Sequence, residues 1–283
     1  MLQQSEEWLK FRKGKLTASK APIIMGLSPY QSCYELWEEE LGFREAREGS
    51  EYMKRGLEIE NDARDWFFAK MGIFVEPSVE VHPTTPIFIA SLDGIDKDKK
   101  NILEIKLNNN DFHENVREGK IPEFHRIQMM HQMYVTGLDQ CYYISWREYD
   151  PILALVERCD ETIEQMVTQE LQFKYCLDTM TPPPLSERDY VDMSFHEELS
   201  QLVWEYDKHR KEAQSHEMLA TANLERIKEI AGEKNIKGQN FKITKYMMKG
   251  RMNYEAVIEE LLPGYNLEVY RKEPKICYRV SVK

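Results

Sequence analysis

Ile102-Leu103-Glu104-Ile105-Lys106-Leu107 has the composition of a buried strand, plus two residues that a buried strand does not favour. Four of the six are Leu or Ile, which suit a pleated, packed surface. Period-two alternation puts Leu103, Ile105 and Leu107 on one face and Ile102, Glu104 and Lys106 on the other. A carboxylate and an ammonium therefore stand side by side on a short apolar strand. Alone, this pattern also describes an amphipathic strand with a solvated ion pair, so the flanking sequence carries the decision.

Ser91-Leu92-Asp93-Gly94 closes the preceding apolar run, expected as a strand over 87–92. A hairpin through the polar turn Asp96-Lys97-Asp98-Lys99-Lys100 brings Asp93 close to Glu104. Two carboxylates beside a lysine make an acidic pocket for a hard divalent cation, whose preferred ligands are oxygens. Without a cation they repel, and one tends to hold its proton.

A helix is expected from Tyr52 to Met71, stopped by Gly72. Its apolar stripe runs through Leu57, Ala63, Phe67 and Met71, and Glu60 lies on it. A carboxylate facing a core is unfavourable unless paired or metal-bound; a stripe-edge position facing water is the bland alternative. On a second helix, expected over 123–136, Gln128 and Gln132 share a face with Phe124 and Val135. Amides in an apolar stripe need partners, and a water or phosphate in a cleft can provide them; a partly exposed helix edge explains them equally well.

Further helices are expected over 5–13, 33–41, 160–178 and 254–262, with a long charged helical stretch over 186–232. Strands are expected over 74–81, 140–146, 240–248 and 276–282. Thr181-Pro182-Pro183-Pro184 is the sharpest punctuation in the chain. This order predicts an α/β fold with a central mixed sheet flanked by helices. The expected domains are a core over 1–185, a helical extension over 186–232 and a small basic α+β tail over 233–283.

The 283 residues are 42% hydrophobic and 31% charged, a composition that folds rather than one that stays disordered. No stretch reaches the roughly 18 apolar residues of a membrane span, and no signal peptide is readable before Glu7, so a soluble cytoplasmic protein is expected. Five scattered cysteines without a CxxC pair argue against a zinc ribbon or a cysteine-ligated iron–sulfur cluster. The net charge of −11 speaks against nucleic acid, but its distribution is uneven. Residues 234–283 carry 11 basic and 5 acidic side chains, against 27 and 44 in residues 1–233.

Taken in order, these residues resemble the PD-(D/E)xK nuclease superfamily, and within it the phage lambda exonuclease and YqaJ-like viral recombinase family. The matching pieces are Arg12 with Leu16-Thr17-Ala18-Ser19, Gly56-x-x-x-Glu60-Asn61-Asp62-Ala63-Arg64, Ser91-Leu92-Asp93-Gly94, Leu103-Glu104-Ile105-Lys106 and Gln128-x-x-x-Gln132 through Gly137. The likeness spans about residues 5–150, and the ordered set is specific where no single piece is. It departs from the family at Leu92, where a proline often precedes the Asp, and at Met130, where a glutamine is common.

The resemblance implies that Asp93 and Glu104, with the Ile105 carbonyl, hold a Mg²⁺ ion, and that Glu60 serves a second one, with Mn²⁺ able to substitute. Lys106 would position or help deprotonate the attacking water, and Gln128 would fix both. Arg12, Ser19 and Ser91 would hold a 5′-terminal phosphate by charge-assisted hydrogen bonds, and Met53 would wedge apart the end base pair. Two ions about 4 Å apart serve both attacking and leaving oxygens of a phosphodiester.

The implied activity is 5′-to-3′ exonuclease action on linear double-stranded DNA, releasing mononucleotides and leaving 3′ overhangs. The implied partners are DNA ends, a single-strand annealing protein and two further copies in a homo-trimer ring. The implied setting is a bacterial cytoplasm, with phage or prophage origin. The competing readings are an endonuclease or Cas4-like processing nuclease, a catalytically inactive DNA-end-binding adaptor, and a coiled-coil interaction protein. The last is disfavoured because Leu199, Leu202, Tyr206, Leu219 and Leu224 sustain no heptad.

Overall fold

The computed structural model describes residues 11–45, 51–147, 149–261 and 264. The chain divides into two compact units, Met1–Val191 and Asp192–Lys283.

The first unit is built on a six-stranded mixed sheet of β1 (Leu16–Thr17), β2 (Val75–Val81), β3 (Phe88–Asp96), β4 (Ile102–Leu107), β5 (Gln140–Trp146) and β6 (Ile152–Glu157). Its helices are α1 (Ala21–Ile24), α2 (Cys33–Leu41), α3 (Glu51–Met71), α4 (Asn110–Arg117), α5 (Glu123–Thr136) and α6 (Asp160–Thr179). Strand β4 lies in the middle, antiparallel to β3 and parallel to β5. The mixed α/β architecture with a helix-flanked sheet is the one the sequence predicts.

Two hydrophobic clusters lie on the two faces of the sheet, and β4 contributes to both. Ile102 packs with Leu92, Tyr143, Ile127, Met130 and Met133, among others, on the α5 side. Leu103 and Ile105 pack with Ala63 and Phe67 of α3 on the other. The alternation read from the strand is therefore real. Helix α2 starts where Ser32 accepts from the Glu35 N–H while the Glu35 side chain accepts from the Ser32 N–H. It ends at Gly42, whose φ of 78° is the left-handed conformation glycine adopts without strain.

Strand β3 sets the geometry of everything around it. One of its edges is taken by β2, from Ile89 to Asp96. Ile89 also pairs with Thr17, and Ile95 with Ile102, so β1 and β4 must share the opposite edge at its two ends. Between them Ala90 to Asp93 face no strand. Buried backbone groups must be paired, and here side chains close the gap. The Ile89 carbonyl lies 3.1 Å from His131 Nε2, the Ser91 carbonyl accepts from Gln132 at 3.5 Å, and the Asp93 carbonyl accepts from Arg64 at 2.8 Å. His131 and Glu170 are fully buried and bond at 2.9 Å, tying α5 to α6 behind that edge.

Several expectations need correction. The buried side of α3 is Ala63 and Phe67 with the partly buried Ile59 and Trp66, whereas Leu57 and Met71 are exposed. The helix packs through its middle on β4, on β5 and on Val75 of β2, so the stripe does not extend along its full length. Helix α4 and strand β6 were not anticipated. The first sits in a polar run capped by Asn109, with only His113 and Val116 buried; the second is a largely solvent-facing edge strand.

The strand expected over 240–248 shrinks to Lys242–Ile243, paired with Ile236–Lys237. The residues after it, such as Tyr246 and Met247, are exposed among the described residues. In the second unit the long helix α7 begins only at Glu197 (Glu197–Ala231), with a 3-10 turn at Glu187–Asp189 before it in the first unit. Ala231 is its single buried residue. Helix α8 is Tyr254–Leu261. Of the helix expected over 5–13, Phe11 and Arg12 are helical, Lys13 begins a turn and residues 5–10 lie outside the described residues, as does the whole strand expected over 276–282. No helix among the described residues is long and apolar enough to cross a membrane.

Gly94 sits where β3, β2 and β4 converge, and a Cβ there would meet Val75 Cγ2 at 2.6 Å and Leu103 Cβ at 3.2 Å. Gly94→Ala is expected to destabilise the first unit by about 1–3 kcal/mol through overpacking, read from urea unfolding. An unchanged midpoint would show that β2 can move away.

Candidate active site

Glu104 is the most buried charge in the sheet, only 1% exposed, so its carboxylate requires compensation from protein groups. It receives three donors. Lys106 Nζ contacts Oε1 from the same strand face. Gln128 Nε2 donates to Oε1 at 2.6 Å and Gln132 Nε2 donates to Oε2, both from α5. The two glutamines stand one helical turn apart, which is why one carboxylate can take both. Both amides thus have the Glu104 carboxylate as a partner.

Asp93 lies across from Glu104 in the register extended from Gly94↔Leu103. The ladder stops there because the Asp93 side chain takes the Ile105 N–H at 2.8 Å, replacing a backbone acceptor. Strands β3 and β4 therefore part with a carboxylate wedged between them. Burial, then the Glu104 charge, push the Asp93 carboxyl well above its usual range. Burial would lower the Lys106 ammonium, but Glu104 and Asp93 more than reverse this and hold it protonated above its ordinary range.

Glu60 reaches this group from α3, half-buried. Burial raises its carboxyl, Arg64 opposes that, and Glu104 adds to it. Arg64 enters the sequence reading only as part of a motif, yet it does most of the joining. It lies 3.4 Å from Glu60, donates to Asn61 at 2.6 Å and to the Asp93 carbonyl at 2.8 Å, so one guanidinium ties α3 to the opened strand. The i, i+4 spacing from Glu60 was the available signal.

A second layer lies on β5. Tyr143 is the Cα partner of Glu104, and Ser145 that of Lys106. Asn108 donates to the Tyr143 and Ser145 hydroxyls at 2.8 Å each, and His125 lies 2.8 Å from the Tyr143 hydroxyl. Burial, with Lys106 nearby, depresses His125 to about 2, so it is neutral. Sequence patterns carried no sign of this layer, because its members are scattered over 37 positions and meet only through strand pairing.

The residues assigned to a terminal phosphate stand before β1 (Arg12), after it (Ser19) and within β3 (Ser91). Ser19 lies two residues past Thr17 and Ser91 two past Ile89, its partner, so both extend toward the same end of the parallel pair. Ser19 is exposed and within 3.2 Å of the Thr17 hydroxyl, while Ser91 is half-buried. Arg12 is half-buried; burial lowers its pKa and Glu40 opposes this. Glu40 also pairs with Lys20 at 2.7 Å. The Met53 side chain lies outside the described residues.

Among the described residues no three His, Cys, Asp or Glu side chains come together so as to hold a metal ion. The donor set nevertheless fits a hard cation. Burial and the neighbouring Glu104 charge raise the proton affinity of Asp93, a repulsion that a divalent charge relieves. Mg²⁺ needs only one or two protein carboxylates and keeps its remaining waters.

Two outcomes follow from this geometry. Gln132→Leu should cost the metal-free protein about 1–3 kcal/mol by leaving Glu104 Oε2 unsatisfied, and adding Glu104→Gln should recover part of it in urea unfolding. His125 binds fewer protons folded than unfolded. Its contribution is present above about pH 6.5 and is lost as pH falls, by up to about 1.4 kcal/mol per pH unit. His125→Gln should flatten that acid limb, and an unchanged limb would mean another group causes it.

The model of the YqaJ-like viral recombinase domain matches residues 7–139, which contain Glu60, Asp93, Glu104, Lys106 and Gln128. The uncharacterized protein YqaJ of Bacillus subtilis (strain 168) is 26% identical over 181 residues, 59% of this chain and 54% of that protein. The match thus spans about half the length of that curated relative. Among solved structures, the alkaline exonuclease LHK-Exo from Laribacter hongkongensis is 30% identical, with a TM-score of 0.54 over 62% of this chain and 94% of that one. The same enzyme in complex with dAMP gives 29% and 0.55 over the same shares. The chain belongs to the YqaJ-like viral recombinase family.

Proposed function

We propose that this protein is a metal-dependent exonuclease that degrades one strand of linear duplex DNA from its 5′ end and leaves a 3′ overhang. The observation that carries this is the Glu104 carboxylate, buried yet held by Lys106, Gln128 and Gln132 beside a wedged Asp93. Such a pair of carboxylates is unfavourable without a cation. The likeness to a protein described as an alkaline exonuclease supports the same reading.

Asp93, Glu104 and the Ile105 carbonyl would hold Mg²⁺ or Mn²⁺, with Glu60 serving a second ion. Bound there, the ion supplies Lewis-acid charge to the scissile phosphate and a more acidic water. The protein's own groups do the rest. Gln128 and Gln132 hold Glu104 in one rotamer, so its lone pairs are presented at a fixed place. Lys106 Nζ, kept protonated by its carboxylate neighbours, acts as a donor that orients the attacking water and the phosphate oxygens. Arg64 fixes Glu60 and the opened strand together.

Arg12, Ser19 and Ser91 bind the terminal 5′ phosphate, which makes the activity end-directed. The 3′ overhang is the substrate of a single-strand annealing protein, and the active assembly is a homo-trimer ring around DNA in a bacterial cytoplasm.

Digestion of a linear duplex with Mg²⁺ tests this directly. Loss of one strand should be faster from a 5′ phosphate than from a 5′ hydroxyl, a closed circle should survive, and Lys106→Ala should be slower by about 10²- to 10⁴-fold. Arg12→Ala should erase the preference for the phosphate. Cutting of the closed circle would turn the assignment to an endonuclease, and end binding without cleavage under any divalent ion would make it an adaptor.

A further inference from the structure

Beyond Lys106, the carboxyl ends of the parallel strands β4 and β5 open into a cleft of about 750 Å³. Its walls include Arg55 from α3, Leu107 and the Asn110-Asp111 start of α4, and Arg147 and Asp150 after β5. Leu107 is the single apolar side chain among the lining residues, so the cleft suits a charged, hydrated ligand. Asp150 is already neutralised by Arg117. Among the described residues, Arg55 and Arg147 make no ion pair. Two guanidiniums on separate walls thus face a polar cavity that also holds the Asp111 carboxylate.

The wall is rigidly joined to the candidate active site. Ser145, the Cα partner of Lys106, lies 2.7 Å from His113 Nδ1. The opposite nitrogen, His113 Nε2, is buried without a hydrogen-bond partner and lies 3.5 Å from Asp150 at the cleft. The cleft begins one strand residue past Lys106, about 3.3 Å along β4.

We propose that this cleft is a second anionic subsite that holds the sugar-phosphate backbone of the DNA strand next to the cleaved phosphodiester, through Arg55 and Arg147. The assignment rests on the nuclease reading and adds the place where the strand runs. A backbone fits better than a free nucleotide. Two separated guanidiniums match successive phosphates, and no aromatic side chain lines the cleft to stack a lone base.

The test is binding of a fluorescently labelled ten-nucleotide single strand to the full chain in EDTA, across a salt series. Arg55→Gln with Arg147→Gln should weaken binding and lower the salt slope by about 1.4, near 0.7 for each phosphate that no longer has a cationic partner. Lys97→Gln with Lys100→Gln removes the same charge at the β3–β4 turn, about 20 Å away along β4, and should leave the slope unchanged. Equal slopes in wild type and the arginine variant, or an equal fall in the lysine variant, would overturn the subsite. So would full displacement of the oligonucleotide by a deoxynucleoside monophosphate, which would make the cleft a mononucleotide site. Digestion with Mg²⁺ is scored separately. An inactive protein that still binds through both arginines refutes the nuclease and keeps a single-strand site, whereas an active one with unaltered binding refutes the subsite alone.

Discussion

A strand edge left open inside a sheet must have its backbone groups satisfied by something other than a strand. In this protein the edge is that of β3 between Ile89 and Gly94, with β1 paired at one end and β4 at the other. His131, Gln132 and Arg64 close it from α5 and α3, and Asp93 closes the facing side of β4 by accepting from Ile105. The helices are thereby fixed to the sheet by the same contacts that keep it parted. Every candidate catalytic side chain stands on or beside this gap.

The electrostatics follow from that opening. Wedging Asp93 between the strands places it beside Glu104, and burial together with that charge raises the Asp93 carboxyl's affinity for a proton. Lys106, Gln128 and Gln132 offset part of this at Glu104, and Arg64 part of it at Glu60. A core made only for stability would replace such a cluster with aliphatic residues. Its retention is the mark of a site in which stability is traded for a prepared charge distribution.

Much of this was legible because it is local. The alternation in Ile102–Leu107, the turn at Asp96–Lys100 and the spacing of Gln128 and Gln132 each follow from a period that the residues themselves display. Where the expectations went astray, the deciding partner was distant. Leu57 and Met71 continue the apolar period of α3 but lie beyond the part of the helix that meets the sheet. Residues 244–248 read as strand, yet among the described residues no second strand lies alongside them. Helix α4 and strand β6 escaped notice because their inward faces are short and partly polar.

By itself, the sequence determined the element order, the two faces of β4 and the set of residue types that resembles a nuclease core, since these depend on neighbours a few positions apart. The tertiary structure decided that Gln128 and Gln132 both serve Glu104, that Arg64 reaches the Asp93 carbonyl, and that Tyr143, Asn108 and His125 form a layer behind Lys106. It also decided that Arg55 and Arg147, 92 positions apart in the chain, flank one cleft. The physical reason is that hydrogen bonds and charge pairs act over a few ångströms in space, and only strand pairing brings residues so far apart in the chain within that range.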